Sequence, residues 1–196
     1  MGACALWGGG ARLTGMRTLY IALLAFLGSG IGLMGADLSD LTYANTGVHV
    51  TITDCNAAAS GELDIPNTIE GVPVRFIGNK AFLQCSRLTS ITIAEGVTSI
   101  GNYTFYGCSS LTSITIPESD TSIGLTAFRD CRSLASITIP EGVTSIGNYT
   151  FYGCSSLASI TIPDSVTSIG NFAFYNCSNL SSITFLGDAP ILGQDA

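Results

Sequence analysis

The clearest pattern in the chain is a short segment in which apolar and polar side chains alternate. In LTSITI at residues 88–93, Ile91 and Ile93 face one side, and Ser90 and Thr92 face the other. A period of two predicts a β-strand with an apolar inner face. The segment recurs every 23 residues, starting at Leu88, Leu111, Leu134 and Leu157, with a partial copy from Leu180. A fixed period of this length predicts a solenoid.

The remainder of each repeat, here called a rung, contains two further inward-facing segments. After the Pro or Ala that follows the strand, Val97 and Ile100 predict a second short strand. Phe105 and Cys108 then lie three residues apart, the spacing of one helical turn with both side chains facing inwards. Each rung is therefore predicted to be strand, turn, short strand and helical turn. The fold class expected from this order is an α/β solenoid, whose core forms when rungs stack.

The repeated pattern LxxIxIPxxVxxIGxxAFxxCxxL resembles the BspA-type leucine-rich repeats of bacterial surface proteins and some protists. Ile, Gly, Phe and Cys recur at fixed offsets, and the resemblance covers about residues 48–186. It implies a right-handed leucine-rich-repeat horseshoe with a curved parallel sheet. It also implies extracellular binding or adhesion rather than catalysis. It does not imply a particular ligand, because the matching positions are core positions.

The segments on either side of the repeats have a different pattern. Residues 37–64 contain the β-branched run VHVTIT at residues 48–53 and are predicted to form an N-terminal cap. About five rungs and a partial one follow in residues 65–184, and residues 185–196 are predicted to be a short C-terminal tail. Because the tail is short for a cap, we expect either a truncated sequence or a strand edge that is open to self-association.

Residues 1–36 are predicted to be a leader. Arg17 precedes an apolar run at residues 19–27, and small residues follow, which is the pattern of a secretory signal peptide with Met16 as the expected start. An uncleaved membrane anchor is the alternative, and the cleavage site stays open. Cleavage predicts a secreted or cell-surface protein with no membrane insertion.

Charge and composition exclude several classes of function. The chain has a formal net charge of −7 and no Lys/Arg cluster, so binding to nucleic acid or to an anionic membrane surface is not expected. The sole histidine, His49, lies in a predicted strand, and the sequence contains no nucleophile elbow and no phosphate loop. With one His and no CxxC, a metal site is not indicated either. We therefore expect no enzyme and no cofactor.

Five cysteines form a ladder with the period of the repeat. In a secreted protein such a series suggests disulfides. We predict buried free thiols instead, because leucine-rich solenoids splay on the helical side and would separate neighbouring cysteines too far for bonding. Cys55 lies outside the ladder, and its pairing stays open. The ladder consists of Cys85, Cys108, Cys131, Cys154 and Cys177.

The outward positions of the predicted strands form an array of hydroxyl groups. Such an array resembles the threonine lattice of ice-binding surfaces. The alternative is that Thr simply favours a solvated sheet face, and a curved horseshoe sheet favours that alternative because an ice plane is flat. The members proposed as a partner-binding surface are Ser90, Thr92, Thr115, Ser136, Thr138 and Thr161.

A second candidate surface follows the inward Phe of each rung, at Tyr106, Arg129, Tyr152 and Tyr175. These side chains either anchor a protein or glycan partner or lie flat and cover the core.

The third rung, residues 111–133, departs from the pattern of the others. It has Asp120 at a core position and charged residues in place of Tyr, Gly and Ser. We expect Asp120 to reach water and the arginines at 129 and 132 to pair with the aspartate at 130. This rung is either a local binding patch or a drifted repeat.

Taken together, the sequence predicts a secreted or cell-surface, non-enzymatic module that binds an extracellular protein or glycan through the solenoid surface. A structural spacer or a surface protein that self-associates edge to edge is the alternative, and ice binding is a third. None of these predictions depends on a cofactor.

Overall fold

The computed structural model describes residues 35–119 and 122–196, which form a β-solenoid of about six turns. The predicted leader, apart from its last two residues, and Asp120 lie outside the described residues. Within them, no helix is long and apolar enough to cross a membrane. The strands are β1 (Leu41–Asn45), β2 (Val50–Cys55), β3 (Gly61–Ile65), β4 (Thr68–Ile69), β5 (Val72–Ile77), β6 (Leu88–Ile93), β7 (Ser99–Ile100), β8 (Ser113–Thr115), β9 (Ser145–Ile146), β10 (Ser159–Ile162), β11 (Ser168–Ile169), β12 (Ser182–Phe185) and β13 (Ile191–Leu192).

An antiparallel hairpin precedes the repeats. A single 3₁₀ turn at Leu38–Asp40 leads into β1, which pairs with β2, and β5 then continues the sheet in parallel to β2. Asp37 caps the 3₁₀ turn, and its hydrogen bonds from the Ser39 hydroxyl and backbone N–H lower the pKa of its carboxyl. Such bonds stabilise the ionised form. Because β2 pairs with β5, the hairpin joins the stack through backbone hydrogen bonds as well as through apolar contact.

Parallel pairing between successive rungs confirms the two predicted strands of the repeat. In the first column β6 pairs with β3 and β8, and β10 pairs with β12. Ile91 is opposite Ile114, so residues 23 apart in sequence are neighbours in the sheet. In the second column β7 pairs with β5, and β11 pairs with β9 and β13. The pairing extends from β3 to β13, and thus into the segments predicted from sequence as cap and tail.

The predicted helical turn is wrong, and with it the α/β class. No α-helix occurs among the described residues, and 102–107 are turns instead. Tyr103 and Gly107 have φ of 58° and 75°, left-handed values that interrupt a right-handed helix. The equivalent residues of the other rungs also have positive φ: Lys80, Gln84, Thr126, Asp130, Tyr149, Gly153, Phe172 and Asn176.

The turn segment forms its backbone hydrogen bonds mainly between rungs. Phe105 N–H donates to the Ala127 carbonyl at 2.8 Å, and Gly107 N–H donates to the Arg129 carbonyl at 2.9 Å. Between these bonds, Cys108 N–H closes a tight turn on the Phe105 carbonyl. Phe105 and Cys108 thus face inwards at the predicted spacing, but a chain of turns places them there.

The core is continuous along the stack. Its largest members are phenylalanines that repeat once per rung, with no exposed surface from Phe82 to Phe151. Their rings stack with centroids 5.2 to 5.5 Å apart. Burying each ring contributes about 2–3 kcal/mol, so the stack is a main source of stability. The strand isoleucines and the ladder cysteines complete the core.

Close packing between rungs explains one column of glycines. A Cβ on Gly124 would overlap the carbonyl of Gly101 in the preceding rung, although Gly124 does not have a positive φ. Beside this column, the Asn102 side chain accepts a hydrogen bond from the Leu125 N–H at 2.8 Å. Backbones therefore approach each other here more closely than any other residue type would allow.

Candidate functional site

The predicted hydroxyl array lies on the outer side of the parallel strands. Thr92 is opposite Thr115, and both are exposed. Ser90 is half-buried because the Ser113 hydroxyl packs against it, with an Oγ–Oγ distance of 3.3 Å. Ser136 is exposed, and Thr138 and Thr161 form an isolated parallel bridge with exposed side chains. The array is thus in register from Ser90 to Thr115 and again from Thr138 to Thr161, and its members offer hydroxyl groups to solvent.

The array ends in acidic residues next to the hairpin. Glu62 of β3 is opposite Ser90, and Asp64 is opposite Thr92. Both carboxylates are exposed. The sheet face therefore changes from acidic to neutral along the solenoid axis.

The structure brings Tyr106, Arg129, Tyr152 and Tyr175 into one stacked column. The Arg129 guanidinium lies 5.7 Å from the Tyr106 ring centroid and 4.4 Å from that of Tyr152. The rings of Tyr152 and Tyr175 stack at 5.4 Å. Each contact is within the range of cation–π or aromatic attraction. Arg129 thus replaces one aromatic ring of the column without breaking it.

Sequence reasoning did not identify the second aromatic row, three residues earlier in the rungs. Tyr149 and Phe172 stack with centroids 5.3 Å apart, and Tyr149 also contacts Tyr152 at 6.0 Å. Tyr103 contacts Tyr106 at 6.4 Å, with Lys80 6.0 Å above its ring. The signal was partly present, because Tyr149 and Phe172 lie 23 residues apart, but Thr126 interrupts the row between Tyr103 and Tyr149. We call the combined set the aromatic surface: Tyr103, Tyr106, Arg129, Tyr149, Tyr152, Phe172 and Tyr175.

Arg129 and Arg132 both contact Asp130, as predicted. Arg129 Nε lies 3.5 Å from Asp130 Oδ2 without hydrogen-bond geometry, and Arg132 Nη2 lies 3.5 Å from Asp130 Oδ1. The Arg132 side chain is 69% exposed, whereas that of Arg129 is 33% exposed. The position of Arg129 therefore depends chiefly on the tyrosines and only secondarily on Asp130.

The hydroxyl array and the aromatic surface come from different parts of the rung. The array belongs to the strands at residues 88–93 and their equivalents, and the aromatic surface belongs to the turns at residues 102–107 and theirs. The structure therefore gathers the predicted binding residues into two separate surfaces.

The ladder cysteines are free thiols, as predicted, and all but the half-buried Cys177 are buried. From the second ladder position onward, each thiol donates to the Phe carbonyl of the preceding rung. Cys108 and Cys131 make this bond at 3.1 Å to Phe82 and Phe105. Burial raises the pKa of every thiol in this part of the ladder, and raises that of Cys177 to about 11. These thiols stay protonated at neutral pH and contribute to packing rather than to nucleophilic chemistry.

The described residues contain no cluster of His, Cys, Asp and Glu that could hold a metal ion. His49 packs edge-on against Phe76, with ring centroids 5.0 Å apart. A groove of about 680 Å³ lies elsewhere, between the loop 186–190 and residues Asp164, Val166 and Thr167. The groove contains carboxylates but no nucleophile paired with a base.

The comparisons with known proteins agree with this geometry. A family model described as the BspA type leucine rich repeat region matches residues 75–196 in six copies. The crystal structure of the T. pallidum leucine-rich repeat protein is 26% identical, with a TM-score of 0.69 over 82% of this chain and 86% of that chain. A leucine-rich cell surface protein from Faecalibacterium prausnitzii A2-165 is 33% identical, with a TM-score of 0.71.

That second alignment covers 77% of this chain but only 39% of the Faecalibacterium protein. No curated protein matches the chain. The matching family model covers more than half of the sequence, and the residues that it matches include the stacked rungs from β6 to β13. The chain belongs to the BspA-type leucine-rich repeat family.

Proposed function

We propose that this protein is a secreted or cell-surface binding module without enzymatic activity, which contacts an extracellular protein or glycan through the aromatic surface. The observation that carries the proposal is the stacked column in which Arg129 lies between Tyr106 and Tyr152. Tyrosine and arginine are the side chains that most often dominate binding energy at protein interfaces. The surface location is supported by the similar Faecalibacterium protein, which is named as a cell surface protein.

The aromatic surface is both accessible and ordered before any partner binds. Tyr103 and Tyr175 are 42% and 45% exposed, and Tyr152 is half-buried. Contacts within and between rungs fix the ring positions, so little side-chain entropy remains to be lost on binding. A preorganised surface of this kind suits recognition of a partner.

The stacking also favours one class of partner. Both faces of the Tyr152 ring are covered, one by Arg129 and the other by Tyr175. Its hydroxyl accepts a hydrogen bond from Asn176 Nδ2 at 3.3 Å. A sugar ring would need a free aromatic face at this position, whereas a protein can use ring edges and hydroxyl groups. The geometry therefore favours a protein over a glycan at the centre of the surface.

The test uses residues 37–196, without the predicted leader, against panels of extracellular proteins and glycans. A triple variant with Tyr106→Ala, Tyr152→Ala and Tyr175→Ala is expected to lose at least about tenfold in affinity for any partner found. The matched control carries Thr92→Ala, Thr115→Ala and Thr138→Ala in the hydroxyl array and should bind normally. Binding that is lost in the control but kept in the tyrosine variant would contradict this choice of surface. Circular dichroism must show that both variants stay folded.

A second candidate function, self-association, is favoured by apolar residues on the last described rung. Ile191 is 79% exposed, and Leu186 and Leu192 are about 60% exposed. Within the described residues, β12 is hydrogen-bonded to β10 on one side only, so its other edge is open to a further strand. Light scattering over a concentration series should then show dimers or larger species. Ile191→Lys should reduce them to monomer, whereas Leu125→Lys, at an exposed site on the third rung, should not.

A further inference from the structure

The first cysteine of the ladder differs from the others in its surroundings. The thiols of Cys108, Cys131, Cys154 and Cys177 each donate at 3.1 Å to a Phe carbonyl 26 residues earlier. The Cys85 thiol instead points to the Cys55 carbonyl, 30 residues earlier and 3.8 Å away. The hairpin therefore places Cys55 at the end of the ladder, where a further Phe would otherwise be expected.

Cys55 and Cys85 are in direct contact at this end of the ladder. The Cys85 sulfur lies 3.8 Å from the Cys55 carbonyl oxygen, and the Cys55 thiol donates to the Asn56 carbonyl at 3.7 Å. The interaction between the two thiols raises the pKa of Cys55 and lowers that of Cys85, whereas burial raises the pKa of the four later ladder thiols. Cys85 is thus the ladder thiol whose contact belongs to a second free cysteine rather than to a phenylalanine.

We propose that Cys55 and Cys85 form a redox pair that closes to a disulfide and covalently joins the N-terminal hairpin to the first rung. Both residues are buried, at 6% and 1% exposure, and Cys55 adjoins the exposed residues 56–58. A small disulfide can therefore reach the pair through local opening of this turn. The inference concerns the fold itself and does not rest on the proposed binding function.

The exchange balances with a low-molecular-weight disulfide as the oxidant. The Cys85 thiolate attacks one sulfur of this disulfide, forming a mixed disulfide and releasing one small thiolate. The Cys55 thiol, losing its proton, then attacks the Cys85 sulfur and displaces the second small thiolate. The protein loses two hydrogen atoms in total, and the oxidant gains them as two small thiols.

The bond would restrain the part of the molecule where the repeat begins. Cys55 ends β2, and Cys85 precedes β6, so the loop closed by the disulfide contains the hairpin's link to the solenoid. Cross-linking limits the freedom of the unfolded chain, and for a loop of this size we expect a rise in Tm on the order of 5–10 °C. Fraying of the first rung would be suppressed most.

The experiment treats the folded full chain with glutathione disulfide and maps the cross-link by mass spectrometry. Trypsin separates the relevant cysteines, because Lys80 and Arg87 bound a peptide that contains only Cys85, and Cys55 lies on the peptide that ends at Arg75. We expect these two peptides joined, the mass lowered by two hydrogen atoms, and a Tm that returns to the reduced value on adding a reductant. Cys55→Ala should abolish the link and the Tm rise, whereas Cys177→Ala should keep both.

Two results would overturn the proposal. One is a cross-link that joins Cys85 to Cys108, since the ladder rather than the hairpin would then supply the partner. The other is a folded chain that keeps all its thiols while the urea-unfolded chain is oxidised under the same conditions. Both results are read from the natural sequence, so they do not depend on whether a variant folds.

Discussion

The Arg129 guanidinium lies 4.4 Å from the centre of the Tyr152 ring, one rung further along the solenoid. The neighbouring rungs have a tyrosine at the position of Arg129, so a charged side chain has replaced an aromatic ring inside a stacked column. The planar guanidinium makes this exchange feasible, because it can stack on an aromatic face as another ring would.

The first prediction concerns the energy of this contact. Arg129→Ala removes the cation between Tyr106 and Tyr152, and we expect it to lower the free energy of unfolding by about 1 kcal/mol. Arg132→Ala is the matched control, because Arg132 contacts the same aspartate from a largely exposed position and should change stability by less than about 0.5 kcal/mol. Urea unfolding monitored by circular dichroism measures both. Equal losses would show that Asp130, and not the tyrosines, accounts for the effect of Arg129.

The second prediction concerns the phenylalanine stack. Phe128 is fully buried between Phe105 and Phe151, so Phe128→Ala should cost about 3–5 kcal/mol and weaken contacts on both sides. Phe76→Ala, at a site with 36% exposure, should cost roughly 1 kcal/mol. Urea or thermal unfolding gives the comparison. A small loss at Phe128 would mean that neighbouring rungs close the cavity.

The third prediction tests the close approach between rungs. Gly124→Ala places a methyl group against the backbone of Gly101, with no flexible side chain that could move aside. We expect a loss of about 3 kcal/mol or more, or failure to fold. Gly47→Asn is the control, because a Cβ at Gly47 meets nothing within 4 Å and Asn tolerates the positive φ there. Expression yield and Tm report the difference, and similar values for the two variants would contradict the packing argument.

The fourth prediction follows from the raised pKa values of the buried thiols. Above the ordinary value of 9.0, Cys131 and Cys154 lose their protons in the unfolded chain but keep them in the folded one. The unfolded state then binds fewer protons than the folded state. The free energy of unfolding therefore keeps its full value below about pH 9 and falls as the pH rises further, by up to about 1.4 kcal/mol per pH unit for each thiol.

Measuring Tm from pH 7 to pH 11 checks this dependence. Cys154→Ala is less stable throughout because it leaves a cavity, but its loss of stability above pH 9 should be shallower than that of the natural sequence. Only this difference in slope isolates the thiol, because Tyr43 also has a raised pKa, from burial and from nearby Glu70. Identical slopes would mean that Cys154 ionises equally easily in both states.

The sequence was sufficient to predict the strands and the core but not the conformation between them. Ile91 and Ile93 alternate with Ser90 and Thr92, and this period of two is specific to a strand. Phe105 and Cys108 have a spacing of three, which is compatible with a helical turn and equally with consecutive tight turns. The distinguishing signal was Gly107 and its equivalents, since Gly, Asp and Asn fill four of the five places in this column and favour positive φ, with Gln84 as the exception.

The candidate surfaces were predictable to different degrees. The tyrosine column could be read from the repeat, because Tyr152 and Tyr175 occupy the same position in successive rungs. The cation between the rings depends on the side-chain conformation of Arg129, which a pattern of residue types does not specify. The neighbour of Cys85 could not be predicted either, because the path of the hairpin outside the repeat places Cys55 there.

The backbone bonds between turns have a consequence for how such a chain can change in length during evolution. Phe105 donates to Ala127 and Phe128 donates to Thr150 in the same way, so each rung presents to the next the surface that it receives from the previous one. Duplicating or deleting a whole unit leaves two matching surfaces in contact. Inserting a single residue shifts every later partner by one position. We therefore expect changes in length by whole units of 23 residues to preserve the stacking of the repeated rungs.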